Sequence, residues 1–292
     1  MSMPRTRNAA DQLFFGEGPR WHGGRLWFSD FYDRAVKSLD MQGVVRTEVE
    51  LDDHPSGLGW LPDGCLLVVA MRARKVMRQD AGGLAVHADL RSIAVHRAND
   101  MVVDSRGGAY VGSFGFDLDA ELKARGPQAV IQSHPTTALA RIEPDGSAQI
   151  AATDMHFPNG MVITPDGQTL IVAETLGLCL TAFDIESGGK LVNRRVWAPL
   201  GARVPDGICL DSDGNVWVAN AAAAECVLVA PGGHVLEVIE TGQPCFACML
   251  GGSMQRTLYM LTAPSAVAEV ASKTRQGRIL AAEVRAARAG WP

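Results

Sequence analysis

Glu17, Asn99, Asn159 and Asp206 each open a short segment of the same design: a polar entry, an apolar stretch, a turn carrying glycine, then an alternating apolar strand. Ser56 and Cys245 open the two other segments of this kind. Residues at one phase of a repeat come together when the repeats are arranged around an axis. Four of these six positions would then bring carboxylate or amide oxygens to one place. Burying two carboxylates together is costly unless something positive neutralises them, and no Lys occupies these positions. Three or four convergent hard oxygens describe a site for a divalent cation such as calcium, magnesium or manganese, with room left for water. Asn159-Gly160 and Asp206-Gly207 also read as plain turn dipeptides. Against that reading, Glu17 precedes a Gly and Asn99 an Asp at the same phase, and Pro158 and Pro205 precede Asn159 and Asp206.

The elements that must position these side chains are set by the repeat. The six segments start at Glu17, Ser56, Asn99, Asn159, Asp206 and Cys245, the last one degraded. Their turn glycines are Gly24, Gly64, Gly107, Gly167, Gly214 and Gly252, at intervals of 40, 43, 60, 47 and 38 residues. Between them lie further short alternating runs closed by Asp-Gly, Gly-Gly or Ser-Gly turns, so each unit holds about four strands, the content of a propeller blade. The expected fold is all-β, a six-bladed β-propeller with four-stranded blades. Gln12–Phe15 and Gly277–Val284 would close the ring as N- and C-terminal strands, since an open ring leaves two edges. Residues 1–292 read as a single domain, with 1–11 flexible and 285–292 a tail. Helix signals are confined to Asp117–Arg125 and the Ala/Arg-rich tail. The long third interval leaves roughly residues 116–137 for a loop over the channel, either a lid or a plain surface insertion.

Composition narrows the partners. Among 292 residues, 47% are hydrophobic and 20% charged, enough for a full core. A net charge of -5 offers no basic stripe for nucleic acid. The first twelve residues lack an apolar leader core, and no run of eighteen apolar residues follows, so neither membrane nor export is expected and the protein reads as cytoplasmic. Of six cysteines, Cys245 and Cys248 form one C-x-x-C without a second pair to complete a zinc site, and buried thiols are the better reading.

Other chemistry is poorly supported. No G-x-S-x-G, H-E-x-x-H or phosphate-binding loop occurs. Asp211-Ser-Asp-Gly-Asn215 lacks the distal Glu of a calcium loop and reads as a hairpin turn. Arg97 lies two residues before Asn99, where a guanidinium could hold a carbonyl or carboxylate oxygen. His96 and His156 each precede an aligned Asn by three residues and fit a surface role or support behind the site better than ligation.

Glu17-Gly-Pro with Trp21, Arg97-Ala-Asn-Asp100, Pro158-Asn-Gly-Met161 and Pro205-Asp-Gly-Ile208 stand in this order along the chain. Together they resemble the SMP-30/gluconolactonase/LRE-like (regucalcin-type) family, over roughly Leu13 to Val284. The resemblance implies one axial divalent metal ion, Ca2+, Zn2+, Mn2+, Mg2+ or Fe2+, held by Glu17, Asn159 and Asp206. It implies a lactone hydrolase, with Asn99 binding the metal-bound water or a substrate oxygen and Arg97 the substrate; by charge, Asp206 is the expected acceptor of the water proton, with Glu17 as the alternative. Sugar-lactone members often carry an acidic residue after the third inner strand, where this chain runs Ser113-Phe-Gly-Phe116, and Ala98 stands where Pro is common. Phe114 and Phe116 would suit a flatter or more apolar lactone. The expected partner is therefore a small lactone, bound by a monomer or weak homo-oligomer. The rival readings are a non-catalytic binding propeller, or another reaction at the same metal site (phosphoester hydrolysis, lyase or isomerase chemistry).

Overall fold

Apolar runs without alternation are stable as strands only where both faces are covered, and Leu66–Ala70, buried throughout, is such a run. The computed structural model describes residues 6–292. The chain opens with β1 (Arg7–Leu13) and builds the first blade from β2 (Gly16–His22), β3 (Arg25–Asp30), β4 (Ala35–Leu39) and β5 (Val45–Glu50). The second blade is β6 (Pro55–Trp60), β7 (Leu66–Ala70), β8 (Lys75–Asp80) and β9 (Gly83–Asp89). The third is β10 (Ala98–Val103), β11 (Ala109–Ser113), β12 (Thr137–Ile142) and β13 (Ala148–Met155), with α1 (Leu118–Arg125) and α2 (Pro127–Gln132) inserted between β11 and β12. The fourth is β14 (Pro158–Ile163), β15 (Thr169–Glu174), β16 (Cys179–Ile185) and β17 (Leu191–Pro199). The fifth is β18 (Pro205–Leu210), β19 (Val216–Asn220), β20 (Glu225–Val229) and β21 (Val235–Glu240). The sixth takes β22 (Cys245–Gly251), β23 (Thr257–Thr262) and, after the single turn α3 (Ala268–Ala271), β24 (Gly277–Glu283).

Each blade is an antiparallel four-stranded sheet in chain order from the axis outward, except that β1 supplies the outer strand of the sixth. Arg7 pairs with Ala281 and Leu13 with Gly277, which ties the two ends of the chain into one sheet. The expected six-bladed propeller and its closure are thus what the chain forms. Arg7 to Asp11, expected to be flexible, instead belong to β1, because without them β24 would be an open edge; residues 1–5 lie outside the described part. All six aligned turn glycines have positive φ, from 70° at Gly167 to 87° at Gly107, so the repeat detected in sequence is a repeat of one backbone turn.

β10, β14, β18, β7, β11 and β19 are buried along their whole length, whereas the outer strands β13, β17 and β21 are mostly exposed or half-buried. Wedges of apolar side chains between adjacent blades form the core, for example Val162, Ile171, Val218 and Val227 between the fourth and fifth. The helix signal at Asp117–Arg125 is α1, capped by the Asp117 carboxylate accepting from the Ala120 amide at 3.2 Å. The Ala/Arg-rich tail, however, is not helical. It crosses the end of the channel where the inner strands finish: Trp291 pairs with Ile163 of the fourth blade and Arg288 with Asp211 of the fifth. Those backbone bonds compete with helix formation and win.

Candidate functional site

The ladder between first and second strands is interrupted in all six blades shortly after the strand entry, between Glu17 and Arg20, Pro55 and Leu58, Ala98 and Met101, Pro158 and Met161, Pro205 and Ile208, and Cys245 and Ala247. Such a bulge leaves extra residues unpaired and re-aims side chains. Repeated six times around the axis, it turns the entry residues toward one mouth of the channel. Inner strands approach closely there: a Cβ on Gly160 would lie 2.6 Å from the Ile208 nitrogen, and one on Gly207 2.7 Å from the Ala247 Cα. The Asn-Gly and Asp-Gly pairs therefore join a polar side chain to a glycine that the packing requires, and are not merely turn dipeptides.

Glu17, Asn99, Asn159 and Asp206, between 3% and 9% exposed, all line a single cavity of about 580 Å³ at this mouth. The sixth member differs from the sequence alignment by one residue. Cys245 pairs with Thr262 as Pro205 pairs with Asn220, so Phe246 holds the position of Asp206, and Phe246 lines the cavity. The degraded repeat has no Asn-Gly or Asp-Gly to mark the phase. Cys245 is instead buried in the wedge between blades, and Cys248 lies 3.8 Å from Cys209 by sulfur, so all six cysteines are free thiols.

A run of hydrogen bonds orients the amides. Ser56 Oγ donates to Asn99 Oδ1 at 3.1 Å, Asn99 Nδ2 to Asn159 Oδ1 at 3.1 Å, and Asn159 Nδ2 to Thr175 Oγ1 at 3.0 Å. Glu17 Oε2 accepts from the Gly18 amide at 3.0 Å. Burial, then the nearness of Asp206 and Asp100, pushes the Glu17 carboxyl well above its ordinary value. Burial, then Asp100, does the same to Asp206. Carboxylates that raise one another in this way are short of positive charge.

Two members of this charge cluster were not singled out from sequence. Asp100 is 3% exposed in the channel, raised by burial and lowered in part by Arg20. Arg20 is 5% exposed and holds three carbonyls: Nε donates to Leu58 O at 3.0 Å, Nη1 to Pro19 O at 2.7 Å, and Nη2 to Met101 O. Strand alternation would turn Asn99 and Asp100 to opposite faces; the bulge brings both to the channel. Arg20 follows the same rule, three residues beyond Glu17.

Among the described residues, no three Asp, Glu, His or Cys side chains gather as a metal-binding group. The donors at the mouth are two carboxylates with amide oxygens beside them. This buried set, electron-rich and mutually repelling, fits a hard divalent cation.

The remaining expected residues divide. Arg97 lines the cavity; its Nη1 donates to Asp119 Oδ2 at 3.0 Å, and its guanidinium lies 6.0 Å from the Phe114 ring centroid. Phe114 lines the cavity, but Phe116 does not. Gly115, with φ 79°, turns the chain between them and sends Phe116 to pack near His134 behind the helical insertion. The insertion itself forms a wall of the cavity through Leu118, Leu122 and Ile131. His96 lies off the cavity, and His156 shares a hydrogen bond of 2.9 Å with His134 in a separate surface cleft. Asp211 accepts from the amides of Asp213 and Asn215, as a turn residue does.

The fold and the oxygen-lined mouth define a six-bladed propeller with a polar-floored cavity at one end of its axis. The family model described as SMP-30/Gluconolactonase/LRE-like region matches residues 15–264, and the chain belongs to that family. It is 28% identical over 228 residues to pentonolactonase XacC of Haloferax volcanii, covering 74% of this chain and 70% of that one. It is 28% identical over 173 residues to regucalcin of Danio rerio, covering 57% of this chain and 54% of that protein. The structure of a calcium-binding protein, regucalcin, from Agrobacterium tumefaciens is similar over the full length of both chains, with a TM-score of 0.77 at 18% identity.

Proposed function

We propose that the protein is a metal-dependent lactone hydrolase, with Glu17, Asn159 and Asp206 as the protein ligands of one divalent cation. The observation that carries this reading is the burial of two repelling carboxylates with two amides at the mouth of one cavity, with Arg20 near Glu17 but not Asp206. The pentonolactonase likeness supports the substrate class, and the regucalcin likeness supports a cation such as calcium. When bound, the cation supplies polarisation of the lactone carbonyl and acidification of water.

The chain's own residues do the rest. Asp206 accepts the proton of the attacking water at a carboxylate oxygen. As the water oxygen bonds to the carbonyl carbon, the ring carbon–oxygen bond breaks, and the proton ends on the released hydroxyl, giving the open hydroxy acid. Asn99, fixed between Ser56 and Asn159, holds a substrate oxygen by its amide, and Arg97 binds at the rim. The apolar walls exclude bulk water from the reacting carbonyl.

The test is proton release from a panel of lactones by the purified enzyme before chelation, after it, and after return of each metal. Activity lost on chelation and restored by a divalent cation supports the reading. A binding propeller without chemistry would release no protons from any lactone, and full turnover in the chelated enzyme would remove the role given to the carboxylates.

A further inference from the structure

The cavity above the four oxygens is built for an apolar body. Phe114 and Phe157 pack with ring centroids 4.4 Å apart where the third and fourth blades meet. Phe15 and Phe246 pack at 4.7 Å where the sixth and first blades meet, across the axis from the first pair. In a ring of six, those junctions face each other, so two aromatic walls flank the oxygen-lined floor.

Part of the polar lining of these walls is held within the protein, and most of the lining is apolar. Arg97 is held by Asp119 at 3.0 Å, and the Thr175 hydroxyl accepts from Asn159 at 3.0 Å. The Tyr32 hydroxyl donates to Ala266 O at 3.3 Å. A polyhydroxylated ring would give up water against walls lined chiefly by Phe15, Phe114, Phe157, Phe246, Leu122 and Ile131, whereas a planar apolar ring would gain from burial there.

Resting on the lactonase reading above, we infer that the substrate is an aromatic lactone, its carbonyl at the floor oxygens and its planar ring between the Phe114–Phe157 and Phe15–Phe246 pairs. Polar and apolar demands are then met at separate ends of one ligand, which is how a small number of placed polar groups fixes orientation in an apolar pocket.

The experiment pairs turnover with binding of analogues that cannot be opened. Dihydrocoumarin and glucono-1,5-lactone are compared for kcat/KM. The corresponding lactams, 3,4-dihydroquinolin-2-one and gluconolactam, are compared for Kd by calorimetry with the metal-loaded protein. The expectation is that the aromatic lactam binds at least about tenfold tighter and that dihydrocoumarin leads in kcat/KM by about a hundredfold. In Phe114→Ala the binding ratio should shrink about tenfold. Gluconolactam binding as tightly as the aromatic lactam overturns the inference even if lactones are hydrolysed. Tight aromatic binding without opening of any lactone keeps the aromatic ligand site and overturns the hydrolase reading, making the bound ring a ligand and not a substrate.

Discussion

The two ends of the axial channel are made from the same six inner strands, yet they are chemically opposite. Where the strands begin, Glu17, Asn99, Asn159 and Asp206 face a wide cavity, and the carboxylates compete for too little positive charge. Where they end, the C-terminal tail crosses the opening, and Trp291, Arg288 and Trp60 enclose a smaller space of about 270 Å³. Arg20 stands between them, lining the lower space while countering Glu17 and Asp100 from below. The difference teaches that one repeat can carry both roles: the bulged entry of each strand is free to vary in chemistry because the regular ladder beyond it supplies stability.

The comparison breaks most completely at Asp206. Asp206→Ala is expected to abolish lactone turnover, a loss of at least about a thousandfold, and metal binding together, read by kinetics and elemental analysis on the same sample. Turnover in this variant close to that of the parent would show that the mouth is not the chemical end.

Arg20→Met removes the buried cation beside Glu17 and Asp100 and leaves both acids without it. A penalty of about 3–5 kcal/mol is expected for breaking such an arrangement, or a fall in Tm on the order of 10 °C. Added calcium should recover part of it, because the cation replaces the missing charge. An unchanged Tm in chelator would mean that the acids carry no charge to be countered.

A pH series sharpens the same point. The folded Glu17 and Asp206 carboxyls sit above their unfolded values, so their contribution is fully favourable below the usual carboxylate value of about 4 and is lost as pH rises through the raised values. The chelated protein should therefore melt several degrees lower at pH 8 than at pH 5, and calcium should flatten the slope. Asp206→Asn should flatten it without calcium. A chelated protein that gains stability over this range would contradict the assignment.

The smallest effect belongs to the lower end. Trp291→Ala deletes a half-buried ring from the tail and should cost about 1–2 kcal/mol, visible in a urea melt, with kcat unchanged. A fall in kcat equal to that of a mouth variant would mean the two ends are coupled.

Most of the ring was legible in the sequence because its signals are local. Turn glycines, Asn-Gly and Asp-Gly pairs and buried apolar runs each report the backbone within a few residues. The degraded sixth repeat shows where this stops: without a polar-Gly pair, Cys245 was taken for the entry residue, and only the pairing of Cys245 with Thr262 moves that role to Phe246. Phe114 and Phe116 stand together in the Ser113-Phe-Gly-Phe116 run, but Gly115, with φ 79°, turns the chain between them. Arg20 and Asp100 escaped notice because a strand pattern turns neighbours to opposite faces and a bulge does not.

By itself, the sequence determined the blade count, the turn geometry and four of the oxygen-bearing side chains, since these depend on residue type and on spacing along the chain. Only the tertiary structure decided which charges share the channel, which aromatic rings enclose the cavity, and that the tail seals the opposite opening. Those are meetings between residues scores to hundreds of positions apart, and their energies depend on burial and distance, which no local pattern encodes.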